Sequence, residues 1–201
     1  MRVLSLDDAV ASLARGEIVA LPTDTVYGVG AAISHPLAVA ALFALKHRPS
    51  SVALPVVTAS IDQITDLGVE WTGDAKRLSD RFWPGALTII VAAPIDLAHV
   101  VGASDTVGFR IPDDEVLRAL LARSGPLALT SANAHGEPPC VNATQLAVVF
   151  GDDRALAGVL DAGERSGQVS TVVDISSDGS WRVVREGAVS THQLDQVLHG
   201  R

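Results

Sequence analysis

The sequence predicts an α/β fold of the α+β type, in which a twisted sheet of mixed parallel and antiparallel strands is flanked by helices in three layers. Short unbroken apolar runs, such as Ile18 to Leu21 and Leu87 to Ala92, indicate strands buried on both faces. Helix-length runs rich in alanine and leucine alternate with them, the pattern of βα units. Near the end, Thr171 to Ile175 and Trp181 to Val184 follow each other with no room for a helix between them, which a purely parallel sheet does not allow. The 201 residues, 48% apolar and 19% charged, are enough for one well-buried core and too few for two, so a single domain over 1–201 is expected.

The elements follow in order. Ser5-Leu6-Asp7-Asp8 reads as an N-cap with acids in the first turn, followed by apolar Ala9, Val10, Leu13 and Ala14 and a stop at Gly16. Ile18 to Leu21 is a strand closed by Pro22, and Thr23 to Gly30 reads as a polar, glycine-bearing turn. Pro36 at a first helical position opens a helix over Leu37 to Leu45 that stops before Pro49, and a strand follows at Leu54 to Thr58. Gly73 to Phe82 carries charge on one side and Ala75, Leu78 and Phe82 on the other, a helix that the Trp83-Pro84-Gly85 turn breaks. Strands at Leu87 to Ala92 and Val107 to Ile111, a helix at Asp113 to Arg123 and a strand at Leu127 to Leu129 come next. A helix from about Asn142 to Phe150 and a strand near Val159 lead to the two late strands. Ser190, with Gln193 as its box partner, caps a terminal helix. The stretch Ala162 to Gln168, with two glycines and a serine, is expected to be a loop over a site.

A net charge of −8 argues against a wholesale nucleic-acid binder and leaves room only for a local basic groove. The single cysteine can form neither an intramolecular disulfide nor a cysteine-rich metal site, so a reducing compartment, the cytoplasm, is expected. No apolar run reaches the roughly 18 residues of a membrane-spanning helix, and no membrane association is expected. The phosphate-binding Gly-x-x-x-x-Gly-Lys loop, the dinucleotide fingerprint, His-Glu-x-x-His and Gly-x-Ser-x-Gly are all missing. The histidines show no pairing at three- or four-residue spacing, so no metal site built by the protein is expected.

Three clusters remain, each with a plain reading beside the functional one. Pro22-Thr23-Asp24-Thr25-Val26-Tyr27-Gly28 follows a buried strand, where α/β loops hold ligands, and offers hydroxyls, a carboxylate and a phenol; alternatively, Thr23 and Asp24 hydrogen-bond their own backbone. Lys46-His47-Arg48-Pro49 ends a helix, where cations often only complement the dipole; Pro49 pushes Arg48 toward an extended conformation, which allows two cations to converge on one phosphate. Ser131-Ala132-Asn133 with Gly136 follows another strand and is either an ordinary turn or a hydroxyl, an amide and backbone N–H groups presented to an anion. Arg110 adds a planar fork at a third strand end, and Ser170 and Arg185 enter late strands that would close the same pocket.

Taken together, these stretches resemble the YrdC-like family of threonylcarbamoyl-adenylate synthases, also called TsaC, in its short form. The likeness runs from about Gly16 to Gly187. It rests on Pro-Thr-Asp-Thr-Val-Tyr-Gly (22–28), Lys-x-Arg-Pro (46–49), Trp-Pro-Gly with Leu87-Thr88, Arg-Ile-Pro (110–112), Ser-Ala-Asn-x-x-Gly (131–136), Ser-Thr-Val-Val-Asp (170–174) and Arg-x-Gly (185–187). Any one stretch is weak; all of them in this order are specific. The resemblance implies the YrdC-like fold and a nucleotidyltransferase that joins L-threonine, bicarbonate or CO2 and ATP into threonylcarbamoyl-AMP and pyrophosphate. Mg2+ would enter with the ATP, and no organic cofactor is implied. The product would pass to a threonylcarbamoyl-transferase machinery that modifies tRNA beside the anticodon, with at most a weak contact between this chain and tRNA.

By the same resemblance Lys46, Arg48, Ser131 and Asn133 form the catalytic, phosphate-binding tetrad, with Thr106 and Arg185 also near the nucleotide. Thr25, Arg110 and Ser170 would hold threonine or its carbamate, with Thr23 and Tyr27 of the same loop beside them. Val52, Ala53 and Val57 depart from the family pattern and leave the contacts of that strand open. The alternatives are a YciO-like paralogue of different activity and an RNA-binding module without catalysis.

Overall fold

The computed structural model describes residues 1–46, 52–133, 137–151, 153, 155–175 and 180–200. Helix α1 (Leu6–Ala14) starts with the expected capping box: the Asp8 N–H donates to the Ser5 hydroxyl while the Ser5 N–H and hydroxyl donate to the Asp8 carboxylate. Strand β1 (Ile18–Pro22) is buried throughout, as its apolar run requires. Pro22 is its last residue, opposite Tyr27, and does not lie beyond it.

The expected turn over 23–30 is shorter than the sequence suggests, because β2 (Tyr27–Ala32) begins at Tyr27 and pairs antiparallel with β1. Gly28 and Gly30 hide this strand, since glycine weakens strand propensity. Their role lies in packing: a Cβ on Gly28 would stand 2.9 Å from the Thr130 carbonyl, and one on Gly30 would stand 2.8 Å from Leu129 Cδ1. The missing side chains let Leu129 close over β2.

Helix α2 (Pro36–Leu45) has proline in its first turn, as expected, and Lys46 is its C-cap. Strand β3 (Val56–Val57) has two residues in place of the five expected, since Pro55 has no N–H to donate to a ladder. Helices α3 (Ile61–Thr65) and α5 (Ile95–Val100) are too short for periodicity to reveal. Between them, α4 (Gly73–Phe82) and β4 (Leu87–Ala92) fall where the sequence puts them. Strand β5 (Thr106–Arg110), α6 (Glu115–Ser124) and β6 (Leu127–Ser131) lie within two residues of their expected bounds. Helix α7 (Ala143–Phe150), β7 (Leu156–Val159), β8 (Thr171–Ile175), β9 (Trp181–Arg185) and α8 (Thr191–His199) complete the chain.

Among the described residues the strands form one sheet in the order β7-β1-β2-β6-β3-β5-β4-β8-β9. Three parallel pairs (β1/β7, β3/β5, β4/β8) are interspersed among five antiparallel ones, so the sheet is mixed. The two faces are covered unequally, and this creates the site. On one face α2, α4, α5, α7 and α8 bury Leu42, Leu78, Ala98, Leu146 and Leu194 against strands along the whole sheet, including Leu87, Ile89, Phe109 and Val173. On the other face α1 and α6 pack Leu13, Leu117 and Leu120 onto Val19, Leu21, Val57, Leu127 and Leu129. That second apolar cluster contains no residue of β4, β5, β8 or β9. Three layers therefore hold over half of the sheet. Over the rest, strand alternation turns Thr88, Ile90, Thr106, Gly108, Arg110 and Val172 toward an open cleft.

Candidate active site

The cleft encloses about 610 Å3 over this bare half-face. One end is built by the end of β6, to which Lys46 at the α2 C-terminus is bonded. Lys46, only 7% exposed, directs Nζ to the Asn133 side-chain oxygen at 2.7 Å and also to the Asn133 backbone carbonyl. The Ser131 hydroxyl donates to the same Asn133 Oδ1 at 2.9 Å, and Asn133 Nδ2 donates to the Glu137 carbonyl at 2.7 Å. Residues 87 positions apart thus meet through one amide. Ser131 reaches the cleft because β6 runs two residues further than expected and presents it beside Gly28. Arg48, the fourth member of the expected tetrad, lies outside the described residues.

The other end is built around Arg110, which closes β5. Its Nε donates to the Gly85 carbonyl at 2.9 Å, and its Nη2 pairs with Asp24 Oδ1 at 2.6 Å. Nη1 points at the Thr25 hydroxyl at 3.4 Å. Burial pushes the Arg110 pKa down, and the Asp24 charge opposes that shift. Ser170 lies beside this group, its hydroxyl 3.3 Å from that of Thr88 and accepting from Arg185 Nη2 at 3.1 Å. The Arg185 pKa is lowered as well, first by burial and then by the Arg110 charge. A second guanidinium close enough to Arg110 to feel its charge makes this end receptive to an anion.

Between the ends the floor is apolar, with Ile90, Val172 and Val184, and Val52, Ala53 and Val57 also face the cleft. Thr106 stands at its rim, exposed at the start of β5. The arrangement suits a ligand with negative charge at two places and a less polar body between them. Among the described residues no group of three or more His, Cys, Asp or Glu side chains could hold a metal ion. No helix there is long and apolar enough to cross a membrane.

The structure shows how two expected site residues of the 22–28 loop, both lining the cleft, are held. Thr23 spends its hydroxyl on its own loop: it donates to the Val26 carbonyl at 2.6 Å and accepts from the Thr25 N–H at 3.1 Å. That single proton is committed, so in the 2.8 Å contact with Thr25 it is Thr25 that donates, which leaves the Thr25 oxygen an acceptor toward Arg110. Tyr27 is fully buried, with its hydroxyl 2.9 Å from Asp161 Oδ1 and from the Gly163 carbonyl, and the phenol ties strands to loop. Burial raises its pKa above the ordinary 10.0. The 162–168 stretch lines no part of the cleft.

Two polar residues at or beside the cleft were quoted in the sequence motifs but given no role at the site. Asp24 stood out only as the acid of a threonine-flanked turn, and its partner is 86 positions away. Thr88 carried a usable signal, being the polar residue of an otherwise apolar strand.

With the geometry in place, comparisons with known proteins give a consistent result. The profile of the Sua5_yciO_yrdC family, described as telomere recombination, matches residues 11–187. A Mycobacterium tuberculosis relative is 40% identical over 192 residues, covering 94% of this chain and 87% of its own length. The Bacillus subtilis threonylcarbamoyl-AMP synthase is 37% identical over 193 residues, covering 94% of this chain and 55% of the relative. Among solved structures, Pyrococcus abyssi Sua5 complexed with L-threonine superposes with a TM-score of 0.89 at 32% identity, over 96% of this chain and 57% of the other. This chain thus spans a little over half the length of those last two relatives. The profile takes in nearly every element that builds the cleft, from within α1 to just past β9, and the chain therefore belongs to the Sua5/YciO/YrdC family.

Proposed function

We propose that this chain is an L-threonylcarbamoyladenylate synthase, a nucleotidyltransferase of tRNA modification. The observation that carries the reading is the two-ended cleft: the Lys46–Asn133–Ser131 assembly at one end and Arg110, Ser170 and Arg185 at the other, across an apolar floor. In the proposed reaction the threonine amine adds to CO2, or to bicarbonate with loss of water, and gives up a proton to form the carbamate. A carbamate oxygen then attacks the α-phosphorus of ATP; the new P–O bond forms as the bond to the β-phosphate breaks and pyrophosphate leaves. Such a step needs charge stabilisation and alignment more than a covalent nucleophile.

Lys46 and Ser131 would donate to phosphate oxygens, with Asn133 fixing both. Arg48 would complete this tetrad, and the rest of the nucleotide would extend from it across the apolar floor toward Thr106 and Arg185. Arg110 would meet the threonine carboxylate, with the Thr25 and Ser170 hydroxyls beside it. Mg2+ enters as part of the ATP substrate. In this reading the adenylate is handed to a threonylcarbamoyl-transferase machinery in the cytoplasm, and tRNA contact by this chain is weak.

The test measures ATP-to-pyrophosphate conversion with magnesium, with and without threonine and bicarbonate, in the parent and in Lys46→Ala, with the product identified by mass spectrometry. Turnover that needs both co-substrates and is lost in the variant is expected. A folded parent protein that makes no adenylate under any of these conditions refutes the reading.

A further inference from the structure

The 161–168 segment lines no wall of the cleft, yet it is fastened to residues that do. The Gly167 N–H donates to the Thr25 backbone carbonyl at 2.9 Å, and the Ser166 hydroxyl reaches the same oxygen at 3.3 Å. At the other end of the segment, the Tyr27 hydroxyl meets Asp161 and Gly163 and accepts from the Ala162 N–H at 3.1 Å. Arg165 lies between these attachments. Its Nη2 donates to the Ala162 carbonyl at 2.6 Å, and its guanidinium sits 5.7 Å from the centre of the Tyr27 ring.

A further side-chain contact joins Arg165 to the helix layer. Nη1 pairs with Asp114 Oδ2 at 2.8 Å, with side-chain exposures of 13% and 7%. Asp114 is the N-cap of α6, and its other oxygen accepts from the Leu117 N–H at 2.7 Å. An exposed ion pair would contribute little, whereas a pair buried to this degree fixes both partners. Capping alone does not require the charge, because asparagine caps a helix as well as aspartate does. The carboxylate does two jobs here, and the second joins the helix layer beside the cleft to the loop behind Thr25.

Building on the synthase reading, we propose that Arg165 and Asp114 form a latch that positions Thr25 for the amino-acid substrate. The Thr25 side chain faces Arg110 in the cleft while its carbonyl is held from behind by Ser166 and Gly167, so the latch sets where that hydroxyl stands. Neither latch residue lines the cleft, and each acts through another group. The predicted signature is selective: threonine recognition suffers while the nucleotide end, built from α2 and β6, does not.

The experiment compares Arg165→Met, Arg165→Lys and the double variant Asp114→Asn/Arg165→Met with the parent, reading kcat and the KM values for threonine and ATP. Arg165→Met is expected to raise the threonine KM by about tenfold, with the ATP KM within about twofold of the parent. Arg165→Lys should recover part of the loss. The double variant leaves no buried charge without a partner, so it should fold while keeping the high threonine KM. Ser190→Ala, which loses the cap of α8 on the opposite face, controls for general destabilisation and should leave the threonine KM alone. An unchanged threonine KM in the double variant, or an equal rise for both substrates, overturns the latch while leaving the synthase standing. A parent chain that makes no adenylate overturns the synthase reading and the latch's role in it together.

Discussion

Replacing Arg110 with methionine separates two roles that the structure superimposes on one side chain. The substitution keeps the buried aliphatic volume and removes the guanidinium that bonds the Gly85 carbonyl at 2.9 Å and Asp24 at 2.6 Å. Asp24 is only 14% exposed, so it is left as a nearly buried charge without its partner. Breaking such a pair costs about 3 kcal/mol at the lower end of what buried pairs show. For a chain of this length that is a fall in Tm of about 6 to 12 °C. Loss of a charge-assisted bond to the threonine carboxylate costs a further 1.5 to 3 kcal/mol or so in substrate binding, a rise of about 10- to 150-fold in the threonine KM. Adding Asp24→Asn removes the stranded charge. The double variant should therefore regain most of its thermal stability and none of its threonine affinity. Thermal unfolding and the threonine dependence of pyrophosphate release measure the two effects independently. A double variant with a parental threonine KM would show that Arg110 does not bind the substrate. An Arg110→Met single variant of unchanged stability would refute the energetic account of the Asp24 pair.

Gly108→Val should close part of the cleft floor: its Cβ would lie 3.1 Å from Thr88 Cγ2 and 3.3 Å from Ile90 Cγ1, and the remaining methyl groups must enter the cavity. We expect the ATP KM to rise at least about tenfold, with about 1 to 3 kcal/mol of lost stability; a folded variant with the parental ATP KM would refute a nucleotide that extends across the cleft floor. Tyr27 is the chain's sole tyrosine, so its ionisation can be followed at 295 nm without interference. Burial raises its pKa, so the folded state holds the proton more tightly than the unfolded chain; its contribution is complete below about pH 10 and is lost as pH rises through the raised value. A native titration at the ordinary tyrosine value would contradict its burial. Cys140 is buried at 3% exposure, and burial also pushes its thiol up from 9.0. It should resist a disulfide reagent at pH 8 in the native protein and react on unfolding, whereas rapid native reaction would contradict its packing.

The sequence by itself determined the elements whose signals are local. Capping boxes at Ser5 and Ser190, proline opening α2, glycine-bounded α1 and the apolar run of β4 all specify their own conformation within a few residues. It also supplied the polar strand-end motifs in which the cleft residues lie. Tertiary structure decided what local rules could not reach. Strand β2 is held by its pairing with β1 and β6, and Leu129, 99 to 101 positions away, fills the room left by Gly28 and Gly30; read locally, those glycines signal a turn. Packing likewise decided how each hydroxyl of the site is engaged. The Thr23 and Tyr27 hydroxyls are consumed by neighbours, whereas Thr25 and Ser170 face Arg110 and Arg185. Pairings such as Asp24 with Arg110 and Asp114 with Arg165 join residues 86 and 51 positions apart. No spacing rule covers such distances, because burial and charge complementarity act between surfaces that meet only once the sheet has formed. The cleft itself follows from the second helical layer stopping at β3: the alternation that would have buried the outward side chains of β4 and β5 instead presents them to a ligand.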